Sequence, residues 1–160
     1  MRDIYYEELR RNCAESTKFT VEQMDKVINS VKNVLKFHTI ARKEGLLALE
    51  VECESLNKET EEKYFAELLS LVVDGTDSIL VTEYALNRYF AANLTGYEGI
   101  IYLIYSKGIL MIQTGENPMV VEKILDSMLP ENVKKLYMEK KREETERLKK
   151  SEQEDLQNNI

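Results

Sequence analysis

Side chains able to do covalent or acid–base chemistry are few in kind in this sequence. One residue of 160 is a histidine, His38; two are cysteines, Cys13 and Cys53; and 29 are Asp or Glu. A site built on a nucleophile needs a base beside it, so any Ser–His–Asp or Cys–His arrangement would have to use His38. That residue falls within an apolar stripe at helical spacing, where a lone histidine reads as a core or boundary residue. The cysteines stand among charged residues, without C-x-x-C spacing or a nearby histidine, so neither a disulfide framework nor a zinc site is predicted. No carboxylate spacing marks a metal cluster or an acid–base pair. Neither a Walker-type phosphate loop nor a dinucleotide-binding glycine pattern is present. The nine tyrosines fall mostly on predicted helix faces, as core and boundary residues. The reading is therefore non-enzymatic, with no cofactor and no metal ligands; a small-ligand cavity near Tyr102, Tyr105 and His38 is a minor alternative.

Composition says what must position these groups. With 6 Gly and 2 Pro, an all-β fold would lack turn residues, whereas the abundant Leu, Glu, Lys and Ala favour helix. A hydrophobic content of 43% excludes disorder throughout, and the length suits one domain. The net charge of −7 argues against nucleic-acid binding, which needs a concentrated basic surface. No apolar leader is visible at the start of the chain, and the most apolar stretch, Gly99–Ile112, is shorter than the about 20 residues of a membrane span. A cytoplasmic protein with reduced thiols and no membrane span is expected.

The pattern predicts an all-α fold of about five or six helices in packed hairpins, followed by a charged C-terminal helix. Residues 1–19 form an N-terminal segment, which could hold a short helix although Asn12–Lys18 is strongly polar. The helical domain covers 20–130. Its first helix starts at a capping box, Thr20-Val21-Glu22-Gln23, and carries an apolar stripe from Met24 to His38. It can continue through Ala41 to about Ser55, with Gly45 as its weak point. Further helices are predicted near 58–73 and 78–90. From Glu98 to Ile112 the chain is apolar on every face, which suits a central buried helix, with a buried strand pair as the alternative. Asn117-Pro118 then starts another helix as N-cap and first helical residue. Gly75-Thr76-Asp77 and Gly115-Glu116-Asn117 each read as helix stop, glycine, Asx cap and new helix, 40 residues apart, a repeated hairpin in outline. Residues 131–160 are rich in Lys, Arg, Glu and Gln and read as a solvated, fraying helix.

Three segments taken in order, Ala41–Glu50 (ARKEGLLALE), Leu71–Asp77 (LVVDGTD) and Gly108–Glu122 (GILMIQTGENPMVVE), resemble the cytoplasmic portions of MotA, the stator subunit of the bacterial flagellar motor. The resemblance covers roughly residues 21–130. Two membrane helices precede the first segment in that family and two more separate the second from the third; here they are missing, and with them the ion path. The resemblance implies a protein-interaction domain of the motor, without channel activity. It further implies that Arg42 and Glu50, at the family's charged positions, contact the rotor switch protein or stator subunits. On one continuous helix the two charges would lie about 12 Å and 80° apart, able to meet separate charges on a partner. The apolar face that membrane helices would otherwise cover favours self-association.

Overall fold

In the computed structural model, which describes residues 2–160, eight α-helices follow one another: α1 (Arg2–Ala14), α2 (Val21–Glu44), α3 (Leu49–Cys53), α4 (Glu62–Val73), α5 (Ser78–Ala91), α6 (Gly96–Thr114), α7 (Pro118–Ser127) and α8 (Glu131–Asn158). Single 3₁₀ turns at Ser16–Lys18 and Leu46–Ala48 link α1 to α2 and α2 to α3. Among the described residues there is no strand, so the apolar run from Glu98 is helical. None of these helices is long and apolar enough to cross a membrane.

The fold is built around α6. Its residues Ile100–Tyr105, Ile109, Met111 and Ile112 are all buried, as expected of a helix that is apolar all round. The helices α1, α2, α4, α5 and α7 all pack against it. Two glycines set how closely. A Cβ on Gly108 would lie 2.5 Å from Val34 Cγ1, so α2 and α6 meet at that point with no room for a methyl group. A Cβ on Gly99 would run into the Asn12 side chain. Aromatic packing fills the space between: the Phe65 and Tyr105 rings stack at 4.5 Å, and Phe37 meets Phe65 edge-on at 5.1 Å.

Two sequence expectations need correction, and one stretch that the sequence left open is resolved. The helix beginning at Thr20 has its complete capping box, with Gln23 N–H donating to Thr20 Oγ1 (3.1 Å) and Thr20 N–H to Gln23 Oε1 (3.0 Å). It stops at Glu44, however, because Gly45 turns to φ +90°, and Arg42 and Glu50 are on different helices. The chain then doubles back: Leu49 is buried, and Glu52 lies 3.7 Å from Lys36 of α2. Secondly, this break and the N-terminal α1 raise the helix number to eight, above the five or six expected. Thirdly, the polar stretch 12–18 is partly interior. Asn12 is 1% exposed; it donates from Nδ2 to Tyr89 Oη (2.8 Å) and accepts from Gly96 N–H (3.1 Å). Its amide thereby ties α1 to the end of α5 and the start of α6.

Candidate functional site

Two helix-to-helix turns of the same construction lie side by side at one end of the molecule. In the first, Gly75 at φ +80° lets Thr76 N–H reach Leu71 O (2.9 Å) and its own N–H reach Val72 O (3.1 Å). In the second, Gly115 at φ +69° does the same, with Glu116 N–H on Met111 O and Gly115 N–H on Ile112 O, both 3.2 Å. This double bond pattern closes a helix C-terminus and favours glycine at its left-handed position. Each turn then caps the next helix. Asp77 Oδ1 accepts from Ile79 N–H (2.8 Å), and Asn117 Oδ1 from Met119 N–H (2.9 Å). The 40-residue correspondence seen in the sequence is thus a repeat in geometry. The turns are joined to one another by Gln113 Nε2, which donates to Thr76 O at 2.7 Å.

The repeat extends to what these turns display. Ile79 and Met119, equivalent positions, are 70% and 69% exposed, and their neighbours Leu80 and Val120 are also exposed, whereas Val81 and Val121 are fully buried. Helices α5 and α7 therefore begin with two apolar residues in solvent before the third enters the core. The break after α2 adds exposed Leu47 at the same end, with exposed Val51 one turn on. Scattered exposed apolar residues are ordinary. Two equivalent pairs set side by side by the joined turns, with Leu47 at the break after α2, are a patterned feature of this fold.

Arg42 lies among them. Its Nη1 donates to Gly115 O (3.0 Å) and Glu116 O (3.1 Å), the carbonyls left free where α6 ends. A guanidinium has five N–H donors in a fixed fork, so Nη2 and Nε stay open on an exposed side chain whose direction is already set. Glu50 is exposed on α3. The ion pairs among the described residues lie elsewhere, as in Lys26–Glu61, Arg88–Glu67 and Lys141–Glu122, and none involves Glu50. Glu44, Asp74, Asp77 and Glu116 are exposed at the same end, four acids against Arg42 and Lys43, and Glu50 follows on α3, which folds back beside α2.

Beneath this surface His38 sits one turn before Arg42 on α2, 1% exposed, with no hydrogen-bond partner for Nε2. Burial holds its pKa below 6.5, assisted by the Arg42 charge and opposed by the Glu116 main chain and carboxylate. It is therefore a neutral interior ring near pH 7. Both thiols are half-buried, Cys13 near Met128 O (3.9 Å) and Cys53 near Ala66 O (3.8 Å), and burial raises the pKa of each. Raised thiols are poor nucleophiles. Tyr105 donates no chemistry to His38: it borders a polar cleft between α2 and α4, Tyr102 borders an apolar slot on another face, and His38 borders neither. Among the described residues no group of three or more His, Cys, Asp or Glu could hold a metal ion.

The sequence could single out Arg42 and Glu50 only through resemblance, and it missed the two equivalent exposed apolar pairs. Their signal was present in the repeated Asx-x-apolar-apolar starts of α5 and α7. No family model, curated protein or solved structure matches the chain.

Proposed function

We propose that the protein is a MotA-like interaction module of the bacterial flagellar motor, without ion-channel or enzymatic activity. In this reading it docks through the end of the bundle that carries Arg42, with Glu50 on the adjoining α3. The observation behind the proposal is the coincidence, at that end, of Arg42 with the exposed pairs Ile79/Leu80 and Met119/Val120 and with Leu47, the exposed Glu50 and Val51 following on the adjoining α3. Interfaces of this kind combine a few apolar anchors that supply affinity with a charged rim that sets orientation and on-rate. A rim with more acids than bases suits a partner surface that is apolar at its centre and basic at its edge. The rotor switch protein is the proposed partner, and the stator subunits are second.

The test is a titration of the purified chain against each of these proteins from the same organism, at low and moderate salt. Glu50→Lys is expected to slow association and to reduce its salt dependence. The pair Ile79→Ser with Met119→Ser is expected to weaken binding by about tenfold or more, about 1.4 kcal/mol, because both residues are already in water in the free protein and their loss leaves the fold intact. Arg42→Ala is less diagnostic, since it also removes a helix cap. If neither partner binds the wild-type chain, the reading fails and a helical scaffold that has lost motor function takes its place.

A further inference from the structure

A second feature lies away from the charges at the bundle end. Where α1 crosses α5 and α6, the three helices leave a slot of about 280 Å³, just under the about 300–1,000 Å³ typical of small-molecule sites. Its body is apolar: Val81, Ala85 and Leu86 from α5, Leu103 and Leu110 from α6. The Tyr5 and Tyr6 rings, packed edge to face at 5.2 Å, form the α1 wall. Four of the hydroxyls along it are engaged by the protein, while the buried Tyr102 Oη has no hydrogen-bond partner. Thr82 donates to Ser78 O and Ser106 to Tyr102 O (both 2.8 Å), Tyr5 donates to Met128 Sδ (3.3 Å), and Tyr89 donates to Glu8 (2.7 Å). Two cations complete the lining, Arg2 and Lys107, and no acidic residue lines it. Among the described residues neither cation takes part in an ion pair.

We infer that this slot binds a small amphipathic anion, a free alkyl carboxylate of medium chain length, with the chain between α5 and α6 and the carboxylate at Lys107 and Arg2. Removal of the chain's methylenes from water supplies the affinity. The head group is selected by charge: two cations without acidic partners favour a carboxylate over an alcohol and repel an ammonium of equal chain length. The volume selects against long chains and against a bilayer surface, which could not enter a slot closed on three sides by helices. This inference does not rest on the motor reading, and either can fail without the other.

The experiment is calorimetry of the full chain with decanoate below its micelle concentration, beside 1-decanol, decylammonium and anionic phospholipid vesicles. Amide chemical shifts are followed in the same titrations. Decanoate is expected to bind at least tenfold tighter than the alcohol, with shifts centred on residues 81–86 and 103–110. Lys107→Gln should remove most of that preference and leave the alcohol affinity unchanged. Ala85→Leu, which fills the slot from within, should abolish binding of both; if it does not fold, Leu86→Phe serves the same purpose from the half-buried wall. Equal affinity for all three decyl compounds, no binding of decanoate, or binding to vesicles alone would overturn the inference.

Discussion

His38 shows how a single residue can tie the stability of the bundle end to pH. Its ring is buried and uncharged in the fold, and burial holds its pKa below 6.5. An unfolded chain would take up a proton near 6.5, while the folded one resists until a lower pH. Stability from this source is therefore complete above about pH 6.5 and is lost as pH falls toward the folded-state pKa, by at most about 1.4 kcal/mol per pH unit for one proton. No other histidine is present to imitate the effect. Urea unfolding of the wild-type chain should show a falling midpoint from about pH 7 to about pH 5.5, and His38→Gln, whatever its own stability, should be flatter over that window. Equal slopes for the two would mean that His38 is not the group responsible. What the sequence revealed about this residue was its place on an apolar stripe. Arg42, four residues on along the same helix, was within reach of a sequence reading, but Glu116 was hidden, because it meets His38 through a contact between α2 and the turn after α6, more than seventy residues away in the chain.

Elements were legible wherever their boundaries are set by local chemistry. Thr20, Asp77 and Asn117 are hydroxyl, carboxylate and amide caps acting on N–H groups two or three residues on, and Gly75 and Gly115 close helices through bonds within six residues. Such signals are complete in a short window. Gly45 was different: a glycine inside a helix costs only about 1 kcal/mol relative to alanine, so the sequence alone could not decide between a weak point and a break. The buried Asn12 was likewise illegible, because its partners Tyr89 and Gly96 come from other helices. Gly108 belongs to the same non-local class, and it yields a sharp prediction. Alanine there improves helix propensity by about 1 kcal/mol, yet its methyl meets Val34 Cγ1 at 2.5 Å and Cγ2 at 2.6 Å. Val34 is β-branched, fully buried and unable to swing aside. Overpacking should prevail, for a net loss of about 1–2 kcal/mol. The double variant with Val34→Ala should be more stable than the sum of the single losses by at least about 0.5 kcal/mol, read as a coupling energy from denaturant unfolding. Strict additivity would mean that α2 and α6 are not in contact at this point.

At the scale of the whole molecule, the question is where the cooperative unit ends. The first part of α8 belongs to it: Val133 and Tyr137 are buried, Asn132 donates to Ser16 O (2.9 Å), Lys140 pairs with Asp25, and Lys141 reaches Glu122 (2.6 Å) across the Tyr137 ring. Beyond Lys141 every residue is exposed. The helix continues to Asn158, an arm of about 25 Å at 1.5 Å per residue, along which Glu143 and Arg147, and Glu146 and Lys150, stand at the i,i+4 spacing of helix-surface charge pairs. Such pairs contribute about 0.2–0.5 kcal/mol each, and a helix of this length without packing is marginal in water. Its folding should therefore be independent of the bundle. Removal of residues 142–160 should leave the unfolding free energy of the remainder, from urea titration, within about 0.5 kcal/mol of wild type while lowering total helical circular dichroism. Removal of 131–160, by contrast, uncovers the surfaces under Val133 and Tyr137 and should cost several kcal/mol, since each buried side chain of that size contributes about 1.5–3 kcal/mol. If the shorter truncation were as damaging as the longer one, the outer arm would have to be held by contacts of its own, and the bundle would not end at Lys141.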